Sequence, residues 1–126
     1  MVTEQEDLIA KAIVDSSLTL HRQLGPGLLE SVYGLCLFHE LSKRSIPVER
    51  QVGFPIQYGD MKIGSGLRVD LLVDNLVIVE IKAVEKLAPV HQAQLLTYLK
   101  LTERKLGLLI NFNVPLIKDG IKRMVM

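Results

Sequence analysis

Arg68-Val-Asp-Leu-Leu-Val-Asp-Asn-Leu-Val-Ile-Val-Glu-Ile-Lys82 reads as two strands joined by a tight turn around Asp74-Asn75. Its second half, Leu76 to Ala83, is apolar apart from Glu80 and Lys82. Those two stand at i, i+2, so they share one face of the sheet. A carboxylate and an ammonium in such a strand cost folding free energy unless they pair, ligate a metal or do chemistry. Loop length decides whether Asp70 joins them. A two-residue loop, Asp74-Asn75, sets Asp70 opposite Val79 and on the wrong side. A three-residue loop ending at Leu76, or a single bulge, sets Asp70 opposite Glu80 and Arg68 opposite Lys82. The pattern therefore predicts an odd loop or a bulge, with Asn75 or Asp74 in the left-handed conformation. Two carboxylates and a lysine so gathered are what a hydrolytic Mg²⁺ site requires.

Outward from this hairpin, Thr3 and Glu6 fit a capping box opening a helix through about Leu24, with Leu8, Ile9, Ala12, Ile13, Ser16 and Leu20 as its inner stripe. Gly25-Pro26-Gly27 breaks it, and Pro26 predicts a second helix from about 26 to Lys43. Val52, Phe54 and Ile56 alternate as a first strand, turned back at Tyr58-Gly59-Asp60. Residues 61–73 form a second strand, in which Gly64 and Gly66 allow a bend or bulge. Leu76 to Ala83 is the third. Pro89 opens a helix to about Thr102, Leu106 to Phe112 is a buried strand, and residues 118–126 add a short edge strand. The order ααβββαβ predicts one α/β domain, a mixed central sheet flanked by helices in a three-layer-like sandwich.

Composition bounds the function. With 126 residues, 48% hydrophobic and 23% charged, the chain is an ordinary globular domain. A net charge of +1 excludes a polybasic nucleic-acid coat but not a local basic patch. One cysteine, Cys36, cannot form an internal disulfide, and no apolar run approaches the roughly 20 residues that span a bilayer. With an acidic, polar N-terminus, these features predict a soluble cytoplasmic protein. His39 and His91 lack metal-ligand spacing, which argues against zinc, and His21 reads as a helix C-terminal residue. No nucleophile elbow, Walker loop or dinucleotide loop is present.

Asp70 followed by Glu80-Ile-Lys82 resembles the PD-(D/E)XK nuclease superfamily. Within it the chain is similar to the GxxExxY family, through Gly27-Leu-Leu-Glu-Ser-Val-Tyr33, Gln94-Leu-Leu-Thr-Tyr98 and Leu106-Gly-Leu-Leu-Ile-Asn-Phe112. The resemblance implies a restriction-endonuclease-like core and phosphodiester hydrolysis dependent on Mg²⁺ or Mn²⁺. It casts Asp70, Glu80 and the Ile81 carbonyl as metal ligands. Lys82 would orient or deprotonate the attacking water and stabilise charge on the phosphate. Glu30 would join the carboxylates from its helix, and Gln94 would hydrogen-bond water or phosphate. Tyr33, Arg68 and Tyr98 are the candidate nucleic-acid contacts, with Lys43, Arg44, Arg50, Lys86, Arg104 and Lys105 as possible backbone guides. The competing readings are salt bridges among Asp70, Glu80, Arg68 and Lys82, and core packing for the two tyrosines. The alternative to an enzyme is a weak or inactive nucleic-acid-binding module that keeps the fold. A homo-oligomer is a further expectation, formed through an edge such as Leu116 to Met126.

Overall fold

A computed structural model describes residues 1–126. In chain order the elements are α1 (Glu4–Leu24), α2 (Glu30–Lys43), β1 (Val48–Tyr58), β2 (Met61–Val73), β3 (Val77–Lys82), α3 (Pro89–Thr102), β4 (Leu106–Asn111) and β5 (Ile121–Val125). A 3₁₀ turn, Ile117–Gly120, precedes β5. The five strands form one sheet in the order β1-β2-β3-β4-β5. Only β3 and β4 run parallel, with α3 as their crossover, and the other three pairs are antiparallel.

The sheet separates two cores. Under α1 and α2, Ile13, Leu37 and Leu41 pack on Leu71, Val79, Ile81, Leu108 and Ile110. Under α3, Leu95 and Leu99 pack on Val69, Leu72, Ile78 and Leu109. β3 is therefore covered on both sides, which is why it reads as a continuous apolar run.

The predicted three-residue loop forms, but the ladder ends at Leu71↔Val79, short of the expected Asp70–Glu80 and Arg68–Lys82 pairs. Val73 pairs with Val77, leaving a three-residue loop of Asp74, Asn75 and Leu76. Both Asp74 (φ 52°) and Asn75 (φ 56°) are left-handed. The glycine bulge is also present. Phe54 pairs with Leu67 and Ile56 with Ile63, so Pro55 alone faces residues 64–66. Proline has no N–H to lose there. A Cβ at Gly66 would fall 2.5 Å from the Ile56 side chain, so only glycine fits.

Two helical expectations need correction. The capping box at Thr3 and Glu6 forms, but Leu8 is 56% exposed, and Ala10, Ser17 and His21 complete the buried stripe instead. The second helix starts at Glu30, not near Pro26. Gly25 (φ 71°) and Gly27 (φ 100°) keep the chain out of helix for another turn. Gly27 is consequently not on the helical face of Glu30. No atom would meet a Cβ there, so its glycine serves the turn and not a close approach.

Candidate active site

β2 and β3 pair regularly only from Val73↔Val77 to Leu71↔Val79. Beyond Leu71 the two strands part while β3 stays bonded to β4 as far as Lys82. The main-chain groups this exposes are taken by the two acids. The Asp70 N–H donates to Glu80 Oε2 at 2.8 Å, and the Ile81 N–H donates to Asp70 Oδ2 at 2.7 Å. Each carboxylate thus crosses to the other strand and keeps one oxygen without a main-chain partner. Even-numbered residues of β3 direct their main-chain groups to β4, as the Phe112 N–H bond to the Lys82 carbonyl shows. The Ile81 carbonyl, like its N–H, therefore faces the gap beside Asp70.

Asp70 opens on the α2 side, into a cleft of about 250 Å³ that Glu30, Ser31, Arg50, Gln51 and Ile81 also line. Glu80, only 5% exposed, alternates with Ile78 and belongs to the face covered by α3. The acids meet in the gap between strands rather than on one open face. Burial pushes the Glu80 carboxyl up to about 8, with the neighbouring Asp70 adding to the rise. Asp70 is also raised, chiefly by burial, against the opposing pull of the Ile81 N–H and Lys82. These are the marks of a crowded acid pair held by the fold.

Lys82 is half-buried and lines a groove along α3 with His91 and Gln94. It forms no ion pair with either acid, and neither does Arg68. The salt-bridge reading of these residues is therefore not what the fold builds. On α3, Gln94 Nε2 donates to the Tyr98 hydroxyl at 3.0 Å, leaving the phenolic proton free for another acceptor. Tyr98 is raised above the usual phenol value by burial and then by the charge of Glu80, which puts it beside the acid pair.

Tyr33 is elsewhere. Expected at the nucleic acid, it is fully buried and stacked on Phe112 with centroids 4.7 Å apart. Its hydroxyl donates to the Gly25 carbonyl at 2.6 Å and accepts from the Leu28 N–H at 3.1 Å. It fixes the loop that delivers Glu30. Tyr33→Phe is expected to lower stability by about 1–2 kcal/mol and to leave oligonucleotide affinity unchanged. Denaturant melts and a binding titration check this, and the reverse pattern would return Tyr33 to the substrate. Among the proposed basic guides, Lys43 and Arg44 pair with Glu40, while Arg104 bonds Asn75 at the opposite end of β3. They do not gather at the acids.

Sequence reasoning missed Gln51, which lines the cleft beside Asp70 and favours its charged form. Its φ of 51° has no sequence signal, because such positions favour Gly, Asn or Asp.

A hard dication suits the donors present, since two carboxylates with an oxygen to spare and a main-chain carbonyl are all oxygen ligands. No three His, Cys, Asp or Glu side chains form a metal-holding group, so water would complete any coordination.

Helices on both faces of a five-stranded mixed sheet, with an acid pair and a lysine where two central strands part, make this a restriction-endonuclease-like α/β domain. A family model of the PD-(D/E)XK nuclease superfamily matches residues 7–124, and the chain belongs to that superfamily. Searches of curated proteins and of solved structures gave no match. No helix is long and apolar enough to cross a membrane.

Proposed function

We propose that this chain is a nuclease that hydrolyses phosphodiester bonds with Mg²⁺ or Mn²⁺, and that within its superfamily it belongs to the GxxExxY family. The observation that carries the reading is the crossed acid pair. Asp70 and Glu80 are fixed by each other's strands, each with an oxygen left over, and Lys82 stands near them without neutralising either. Asp70, Glu80 and the Ile81 carbonyl would hold the dication. When bound, it supplies charge neutralisation at a phosphoryl oxygen and lowers the pKa of water.

The protein's own groups do the rest. Lys82 orients the attacking water and stabilises the charge that grows on the phosphate. Glu30, exposed on the first turn of α2, lines the Asp70 cleft and accepts a hydrogen bond from water there. Gln94 holds the Tyr98 hydroxyl oxygen, so the phenolic proton is available to a phosphate oxygen.

The test is metal removal. The protein is expected to cleave labelled DNA or RNA in Mg²⁺ or Mn²⁺ and to lose all cleavage in EDTA, with dication binding visible by calorimetry. Absence of both binding and cleavage, even with a non-hydrolysable oligonucleotide present, would favour the non-catalytic module that keeps the nuclease fold.

A further inference from the structure

Arg50 and Gln51 are consecutive residues of β1, and consecutive side chains of a regular strand leave opposite faces. Here both line the cleft beside Glu30 and Asp70. The cause is the left-handed backbone at Gln51 (φ 51°), which flips the facing of β1 while its register with β2 continues unbroken. Before it Val48 packs on the α1–α2 core, and after it Val52 packs on the α3 core. A glycine would make this reversal without the Cβ penalty. Glutamine carries the strain and is brought into the cleft of Asp70, where Arg50, two residues from Val48, already faces by ordinary alternation. Strain of this kind in a site is an observation that points to use.

Arg50 is the second anomaly. Two acids line its cleft, yet its guanidinium forms neither an ion pair nor a hydrogen bond. Its guanidinium instead lies 5.9 Å from the centre of the Phe38 ring on α2. A weak cation–π contact orients the group while leaving its donors unused. Five donors in a planar fork beside a hydrolytic acid pair match a phosphodiester oxyanion.

We propose that Arg50 is the contact for a phosphodiester of the nucleic acid, presented into the cleft from the face of β1 that also carries Val48 and held there beside the Phe38 ring. The assignment rests on the nucleic-acid reading above but not on turnover. Binding of short fluorescein-labelled single-stranded DNA, duplex DNA and single-stranded RNA is measured by anisotropy, with Ca²⁺ in place of Mg²⁺. Arg50→Ala is expected to weaken binding about tenfold. It should also reduce the dependence of log affinity on log salt by about one. Arg50→Lys keeps the charge but not the fork, and falls between. Arg22→Ala, which removes a cation at a separate groove near Leu116, should bind like the wild type. Melting curves confirm folding, and Arg50→Lys carries the test should the alanine variant unfold.

If folded Arg50→Ala binds as tightly as the wild type, the proposal is overturned and the nuclease reading stands. Wild type that binds none of the probes overturns it as well. Lost binding in Arg50→Ala, together with no cleavage by the wild type in Mg²⁺ or Mn²⁺, upholds the Arg50 contact and removes the catalytic reading.

Discussion

Glu80→Gln is expected to abolish dication binding and slow cleavage by about a thousandfold, while making the protein more stable than the wild type at alkaline pH. The two effects share one cause. Glu80 is buried beside Asp70, and its carboxyl is displaced from 4.5 to about 8. Between those values the folded protein holds a proton that the unfolded chain has lost. Stability therefore falls as pH rises from about 4.5 and is lowest above about 8, where both states are ionised. At about 1.4 kcal/mol per pH unit, the total drop is roughly 3–5 kcal/mol. A neutral glutamine is free of this drop, and its amide oxygen can still accept the Asp70 N–H that Glu80 Oε2 now takes. Asp70, also displaced upward by burial, keeps a drop of the same sign in both proteins. Urea unfolding at about pH 4 and about pH 9 checks the claim: the two proteins should match at the acid end and diverge at the alkaline end. Parallel curves would mean that the Glu80 charge is solvated in the folded state.

The same titration sets the metal response. A dication competes with the Glu80 proton, so affinity should climb between neutral pH and about 8 and then level off. A buried acid pair that costs stability when ionised is an arrangement that a bound dication would relieve. The same acids, were they only scaffolding, would be expected to pair with Lys82 or Arg68, and neither cation does so.

What could be read from the chain followed local rules. The capping box needs only Thr3 and Glu6, and the loop length followed from requiring Asp70 to meet Glu80. The strand that carries Glu80 and Lys82 stood out because its other residues are apolar. The failures lie where tertiary contacts overrule such rules. Pro26 is a good first residue for a helix, but positive φ at Gly25 and Gly27 and the reach of Tyr33 to Gly25 delay the helix to Glu30. The resemblance casts Tyr33 as a nucleic-acid contact, whereas its ring stacks on Phe112 in the core. Gln51 was invisible because a left-handed glutamine follows from the need to turn β1 between two cores. Nor could sequence tell that the ladder stops at Leu71↔Val79, which puts the acids in a gap rather than on a face.

Lys82→Met should separate the chemistry from the metal. The variant keeps an unbranched side chain but removes the ammonium, and no ion pair is lost with it. Two opposed effects on dication binding are expected. Removing a nearby positive charge favours a second cation, while Asp70 and Glu80, both now pulled down by Lys82, become harder to ionise. The second effect disappears above the Glu80 pKa, so the comparison belongs at about pH 9. There Lys82→Met should bind Mn²⁺ at least as tightly as the wild type, yet cleave about 10²- to 10⁴-fold more slowly in single turnover. Calorimetry and quenched cleavage at that pH supply the two readings. Were Lys82 merely a diffuse counter-charge to the acids, the variant would be less stable and would still cleave at the wild-type rate once metal was saturating. That pattern would remove Lys82 from the reaction. Tight metal binding with failed cleavage assigns it to the phosphate and the attacking water, because Lys82 is the one lysine or arginine that lines the groove of Gln94.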